Sequence, residues 1–173
     1  MNYLKGKCAY LCGGLFSHED SGISWRDAVT PPLQQMGILV ADPCKKILHG
    51  ELDEIGEDKK VFRSLILKED WKTLKEKFWP IVRNDLRLVD KSDFLILNYD
   101  PSVPTIGTTH EQVVATFEKK VILMKYDRSQ LHLFNPWMAT FIKPQHFFHD
   151  WNIMFEYLRK VNDGVFDTSL WVI

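Results

Sequence analysis

Residues 93–124 read DFLILNYDPSVPTIGTTHEQVVATFEKKVILM and carry the clearest fold signal in the chain. The apolar runs Asp93–Leu97 and Val121–Met124 flank a turn-rich loop and an amphipathic stretch. Short apolar runs without alternation are typical of strands buried on both faces, as in a parallel sheet covered by helices. Thr108 or Thr109 can cap the intervening helix. The stretch therefore predicts a β-α-β unit with a right-handed crossover.

The N-terminal part of the chain continues the same pattern. Cys8–Cys12 is apolar and ends at a glycine pair, which predicts a buried first strand running into a tight turn. Trp25–Val29 looks helical, and the pair Pro31 and Pro32 either kinks this helix or starts a new one. Ile38–Ala41 predicts a second strand. We expect one α/β domain with a mostly parallel sheet and helices on both faces.

Residues 45–79 are dense in Lys, Glu and Asp, with apolar residues at roughly helical spacing. We interpret them as an amphipathic helical insertion that Pro80 closes. A solvated charged face is its simplest explanation, and it can also cover the site or carry a subunit contact. Further helices are expected over Ile81–Lys91 and His149–Val161, and an extended segment over Thr168–Ile173.

The overall composition excludes several functional classes. A formal net charge of −1 provides no field that would attract polymeric nucleic acid or an anionic membrane. No apolar stretch reaches the roughly 18 to 20 residues needed to cross a bilayer, so we expect a cytoplasmic protein. Cys8, Cys12 and Cys44 form no zinc-binding spacing, and no G-x-G-x-x-G follows the first strand. The sequence therefore predicts neither a metal nor a cofactor.

Glu111 is the most informative residue for chemistry. It precedes Val114 and Ala115 by three and four positions, so it shares the helix stripe that faces the sheet. It also follows a buried strand by one loop, where open α/β sheets bind their ligands, and a helix start favours an ionised carboxylate. An inward, ionised carboxylate is a competent nucleophile. From spacing alone, a capping box or a partner for the helix dipole explains Glu111 equally well.

A second set of acidic residues lies upstream of Glu111. Asp93 can start its strand, and Asp90 can form a surface pair with Arg87. Asp85 is the better functional candidate because it leads directly into the packed element before the strand. A helix cap is the alternative explanation for Asp85.

Four sequence motifs in this order carry a resemblance to a known family. Tyr10–Phe16 (YLCGGLF), Asn84–Leu86 (NDL), Tyr99-Asp100 and Gly107–Glu111 (GTTHE) resemble motifs of the nucleoside 2-deoxyribosyltransferases and the related nucleoside 5′-monophosphate N-glycosidases. In that family the tyrosine of the first motif is an active-site residue, the aspartate of the second contacts the substrate, and the glutamate of the last is the nucleophile. The match covers the first motif and residues 84 to about 124.

The resemblance implies a Rossmann-like or flavodoxin-like sandwich and a double displacement. Glu111 would attack the anomeric carbon, the nucleobase would leave, and a covalent glycosyl-enzyme would pass 2-deoxyribose to a second base. Tyr10 would hydrogen-bond Glu111, and Asp85 would hold or protonate the leaving base. The implied partners are a nucleoside or nucleotide, a free nucleobase, and further copies of the chain in a homodimer or larger homo-oligomer.

The expected substrate contacts surround these three residues. They are Gly13, Phe16, Trp25, Arg26, Asp90, Thr105, Gly107 and Thr108. Trp25 can stack on a base and Arg26 can meet a phosphate or carboxylate, with core packing and a surface pair as the respective alternatives.

The residue at position 105 does not decide between two classes of substrate. The transferases commonly carry an aspartate just before the glycine, where this chain has Thr105-Ile106. The monophosphate N-glycosidases carry a hydroxyl residue six positions before the nucleophile, and Thr105 stands at that distance from Glu111. A turn residue is an equally good explanation. Transfer of 2-deoxyribose, hydrolysis of a nucleoside 5′-monophosphate and non-catalytic nucleotide binding therefore all remain open.

Overall fold

A parallel sheet organises the fold. A computed structural model of the chain describes residues 2–15, 20–45, 55–103, 105–166 and 171. The strands within these residues are β1 (Cys8–Gly13), β2 (Leu39–Ala41), β3 (Phe94–Tyr99), β4 (Val121–Tyr126) and β5 (Phe147–Phe148). All neighbours pair in parallel, in the order β2-β1-β3-β4-β5.

Helices cover both faces of this sheet. They are α1 (Ile23–Gln35), α2 (Asp58–Leu67), α3 (Trp71–Lys91), α4 (Ile106–Phe117), α5 (Pro136–Thr140) and α6 (Trp151–Asn162). Side chains of α1 and α6 belong to one buried apolar cluster, and side chains of α3, α4 and α5 belong to a second cluster. The expected single α/β domain with helices on both faces is therefore confirmed, and the strand order is the flavodoxin-like one.

Strand alternation decides which side chains meet which helices. Along β1, Ala9 and Leu11 enter the cluster beneath α1 and α6, whereas Tyr10 and Cys12 enter the cluster beneath α3 and α4. The chain leaves β1 toward one edge of the sheet through β2 and leaves β3 toward the other edge through β4. The carboxyl ends of β1 and β3 thus form the point at which the strand order reverses, where open sheets hold ligands.

The structure corrects the interpretation of the prolines. Helix α1 continues through Pro31 and Pro32, and α3 runs unbroken through Pro80, so the expected helix boundary at Pro80 is wrong. An internal proline costs a helix about 3 kcal/mol because it removes one backbone hydrogen bond. In α3 this cost is offset by apolar packing on both sides of the proline, with Phe78 packed on Phe62 before it and the buried Ile81 and Val89 after it.

The start of α4 also differs from the expectation. Thr105 is the N-cap residue and makes no side-chain capping bond. Thr108 and Thr109, expected as caps, lie inside the first turn, where Thr109 Oγ1 donates to the Thr105 carbonyl at 3.0 Å. The Thr109 hydroxyl is therefore held against the backbone at the start of its own helix.

Some expectations fall outside the described residues. These are the contact of Phe16, the part of the charged segment over 46–54 and most of the extended segment over 168–173. Trp171 is described, and it is buried against Phe94 with ring centroids 5.1 Å apart. None of the described helices combines the length and the hydropathy that a membrane span needs.

Candidate active site

Tyr10 and Glu111 meet across 101 residues of sequence. The Tyr10 hydroxyl donates to Glu111 Oε1 at 2.8 Å, and Glu111 is only 8% exposed. Strand β1 directs the tyrosine toward α4, and the first turns of α4 direct the glutamate back toward the strand. The hydrogen bond that the resemblance implied is present, and the inward orientation that the spacing predicted for Glu111 is confirmed.

Cys12 is a third member of this group that the sequence did not predict. Its Sγ lies 3.0 Å from Glu111 Oε2 and 3.8 Å from the carbonyl oxygen of Thr108. Strand alternation contained a usable signal, because residues two apart on a strand share a face and Cys12 follows Tyr10 by two.

The surroundings keep both donors protonated. Burial raises the pKa of the Tyr10 phenol well above its usual range, and the negative charges of Glu111 and Asp85 raise it further. Burial likewise raises the pKa of the Cys12 thiol well above its usual range, with Glu111 as the next cause. Tyr10 and Cys12 therefore present an O–H and an S–H to the carboxylate at neutral pH.

A cavity of about 440 Å³ opens beside these groups. Glu111 and Asp85 both line it, and Asp85 is only 5% exposed. The end of β1, the loop that follows it and the start of α4 form one side, where Gly13, Thr105, Gly107 and Thr108 lie as lining residues.

Helices α2 and α3 form the other side, which we call the apolar wall. It consists of Phe62, Ile66, Leu74, Phe78, Ile81 and Val82. Leu74, Phe78, Ile81 and Asp85 follow one another at intervals of four, three and four residues, so one stripe of α3 carries both apolar contacts and the carboxylate. The charged segment of the sequence thus covers the cavity with its apolar face, one of the roles left open for it.

The first turn of α4 faces the cavity. The Thr109 amide donates to the Thr105 carbonyl, and the amides of the residues before Thr109 have no acceptor within the helix. A Cβ added to Gly107 would meet no atom within 4 Å, so this glycine borders open space. Thr108 is buried and lines the same space. This arrangement suits a polar or anionic group of a ligand.

Arg26 does not line the cavity. Its guanidinium is fully buried and donates to the carbonyl oxygens of Gly13 at 2.9 Å, Gly22 at 3.0 Å and Leu11 at 3.3 Å. Its Nε lies 3.6 Å from Asp42 Oδ1. The side chain therefore braces the turn after β1 from within the core, which neither expected role for it described.

Trp25 and Asp90 also lie away from the cavity lining. Trp25 stacks on Trp151 with ring centroids 5.6 Å apart and packs against the core beneath α1 and α6, which agrees with the core-packing alternative. Asp90 is exposed at the C-terminal end of α3, which leads into the start of β3, whereas the cavity lies beyond the strand's other end. Within the part of the chain that the structure describes, no group of three or more His, Cys, Asp or Glu side chains could hold a metal ion.

Comparisons with known proteins agree with this fold. No protein-family model matches the sequence, and no curated protein matches it significantly. The chain is structurally similar to a 2-deoxyribosyltransferase from the psychrotolerant bacterium Bacillus psychrosaccharolyticus, with a TM-score of 0.54 and 16% identity over 87% of this chain and 91% of that one.

Two further structures extend the similarity. A 2-deoxyribosyltransferase from Leishmania mexicana has a TM-score of 0.58 and 15% identity over 87% of this chain and 95% of its own. A conserved protein from Enterococcus faecalis V583 has a TM-score of 0.59 and 16% identity over 90% of this chain and 98% of its own. At such low identity the similarity establishes the fold alone. This chain shares the fold of solved 2-deoxyribosyltransferases.

Proposed function

We propose that this chain cleaves the N-glycosidic bond of a deoxynucleoside and transfers 2-deoxyribose between nucleobases. The observation that carries the proposal is the buried Glu111 carboxylate, which accepts a hydrogen bond from Tyr10 at 2.8 Å beside a cavity that Asp85 also lines. A carboxylate that is fixed by a hydrogen bond and borders a cavity is suited to nucleophilic attack on a sugar bound there. The shared fold with solved 2-deoxyribosyltransferases supports the same class of reaction.

The first half of the proposed reaction forms a glycosyl-enzyme. A Glu111 carboxylate oxygen forms a bond to C1′ as the bond from C1′ to the base nitrogen breaks, and the electron pair of the broken bond stays on the base. Asp85 holds the leaving base or delivers the proton that it needs. In the second half, a nitrogen of an incoming base attacks C1′ and releases Glu111, as in a retaining glycosidase with a base in place of water.

The apolar wall favours a flat, weakly polar ligand at this position. Phe78 is half-buried and packs edge to face on the buried Phe62 with ring centroids 4.9 Å apart, so the Phe78 ring can offer aromatic surface to a nucleobase. A volume of about 440 Å³ falls in the range of small-molecule sites, roughly 300 to 1,000 Å³. Apolar side chains also limit the access of water to a glycosyl ester, which favours transfer over hydrolysis.

Hydrolysis of a nucleoside 5′-monophosphate is the second candidate, and the start of α4 is the observation that favours it. The Thr105 side chain makes no capping bond, and the first turn of α4 lines the cavity, so a phosphate group bound there would lie near the positive end of the helix. Among the described residues that line the cavity, however, none is a lysine or arginine. We therefore rank the uncharged nucleoside first.

Incubation with a deoxynucleoside and a different free base, followed by chromatography, tests the proposal. We expect a new nucleoside that carries the second base. Free sugar alone indicates hydrolysis, and base release confined to 5′-monophosphates supports the second candidate. Tight nucleotide binding without turnover across a panel of substrates supports a non-catalytic module.

Variants of two acidic residues provide the control. Glu111→Gln is expected to abolish base release while the circular dichroism spectrum and melting temperature stay close to those of the wild type. Asp90→Asn removes an exposed carboxylate at the far end of α3 and is expected to keep full activity. Wild-type turnover by Glu111→Gln would reject the nucleophile role.

A further inference from the structure

Cys12 is a buried thiol that the proposed mechanism does not use. It follows Tyr10 by two residues on β1, so both side chains project from one face of the strand. Its Sγ lies 3.0 Å from Glu111 Oε2, while the Tyr10 hydroxyl lies 2.8 Å from Oε1. One strand therefore supplies a separate donor to each oxygen of the carboxylate.

A second donor restricts a rotation of the carboxylate that a single donor leaves possible. The terminal torsion of a glutamate side chain has a broad energy minimum, so a carboxylate held at one oxygen can still turn about its last bond. A second donor on the other oxygen fixes the plane of the group. Attack on an anomeric carbon requires the reacting atoms to be aligned at about 3 to 3.5 Å, so this plane determines how often an attack is productive.

The two donors also differ in strength. A thiol is a weak hydrogen-bond donor and a phenol is a stronger one, so the Cys12 contact draws less charge from its carboxylate oxygen than the Tyr10 contact does. A weakly held Oε2 can bond to C1′ while the bond from C1′ to the base nitrogen breaks. No proton leaves the thiol in this step.

The carbonyl oxygen of Thr108 gives the thiol a second acceptor. It lies 3.8 Å from Cys12 Sγ, within reach of an S–H that no longer bonds Glu111. Once Oε2 becomes an ester oxygen it accepts hydrogen bonds poorly, and Thr108 then prevents a buried donor from losing its partner.

Building on the proposed function, we propose that Cys12 is a positioning residue, whose S–H holds Glu111 Oε2 and fixes the carboxylate plane for attack on the sugar. The S–H stretching band in the Raman spectrum tests the contact without any need for turnover. The difference between wild type and Cys12→Ala isolates the band. We expect this band to move to higher frequency in Glu111→Gln, because the charged acceptor is gone. An unchanged Cys12 band in Glu111→Gln would overturn the proposal.

Steady-state kinetics test the catalytic consequence. We expect Cys12→Ala to lower kcat about three- to tenfold, the range for loss of one modest hydrogen bond, with KM close to that of the wild type. The acid limb of its pH profile should move to higher pH, because the carboxylate loses a donor that favours its ionised form. Cys12→Ser keeps a donor at this position and is expected to recover most of kcat and the original pH profile.

Cys8→Ala is the matched control, because Cys8 lies at the start of the same strand and its thiol faces Ser92 at 3.6 Å. Equal losses in Cys12→Ala and Cys12→Ser, with an unmoved acid limb, would overturn the positioning role and leave only packing. A wild type that turns over no substrate would instead reject the proposed function, while the Raman shift still decides whether Cys12 bonds Glu111.

Discussion

Replacing Arg26 with methionine is expected to destabilise the fold by about 3 to 5 kcal/mol, the cost of breaking a buried ion pair from one side. Methionine keeps much of the length of the arginine stem but removes every donor. The carbonyl oxygens of Gly13 and Gly22, now 2.9 and 3.0 Å from the guanidinium, would lose these bonds. Among the described residues, the cation that would remain near Asp42, whose side chain is only 5% exposed, is Lys45 at 3.7 Å.

Urea denaturation of the wild type, Arg26→Met, Asp42→Asn and the double variant measures this effect. If the charge of Asp42 is what makes the loss of Arg26 costly, Arg26→Met should cost at least about 1 kcal/mol less in the Asp42→Asn background, a difference that a double-mutant cycle resolves. A loss below about 1 kcal/mol in Arg26→Met, together with a specific fall in affinity for a phosphorylated nucleotide, would refute the reasoning. Arg26 would then belong with the substrate contacts.

Three further perturbations have defined outcomes. Tyr10→Phe removes the donor to Glu111 Oε1, and because a hydrogen bond to a charged group contributes about 1.5 to 3 kcal/mol, kcat/KM should fall about 10- to 100-fold; unchanged steady-state kinetics would contradict this role. Gly107→Val adds a side chain where the structure has open cavity, so nucleoside affinity measured by calorimetry should fall while the melting temperature is retained. Burial lowers the pKa of His146 to about 4 from its usual 6.5, so the unfolded chain takes up this proton first as the pH falls. Stability should therefore decline from about pH 6.5 to about pH 4 by at most about 3 kcal/mol, and melting curves of His146→Gln should lack this part of the decline.

Much of the fold could be predicted because its strands are continuous apolar runs. The strands β1, β3 and β4 were expected within two residues of their observed ends, since burial on both faces leaves a signal that needs no tertiary information. The elements α5 and β5 are five and two residues long, too short for any periodicity to develop. Their positions depend on contacts with the rest of the chain.

The wrong helix boundary at Pro80 has a different cause. The proline rule is local, whereas the apolar stripe of α3 keeps the same period before and after Pro80. Phe78, Ile81 and Val89 remain in phase across the proline, and this continuity was visible in the sequence. Here tertiary packing outweighs a local preference.

The candidate site was only partly predictable. The helical spacing predicted that Glu111 points inward. Its partner Tyr10 was identified only through the family resemblance, because no local rule connects residues 101 positions apart. Arg26 was misjudged because fully buried arginines are rare, and the carbonyl groups that satisfy this one belong to a turn whose path the sequence does not reveal. For Cys12, nothing beyond the absence of a zinc-binding spacing could be predicted from the sequence, because its acceptor lies 99 residues away.

One stripe of α3 carries both the Asp85 carboxylate and part of the apolar wall, since it runs from Leu74 and Phe78 to Asp85 and then to Val89 in the core. The turns at Asp85 and Val89 are fixed by the acidic group and the core, whereas the side chains of the earlier turns border the cavity and can differ in size. Under the proposed function, libraries randomised at positions 74 and 78 would change the size of the base that the cavity accepts without altering Asp85.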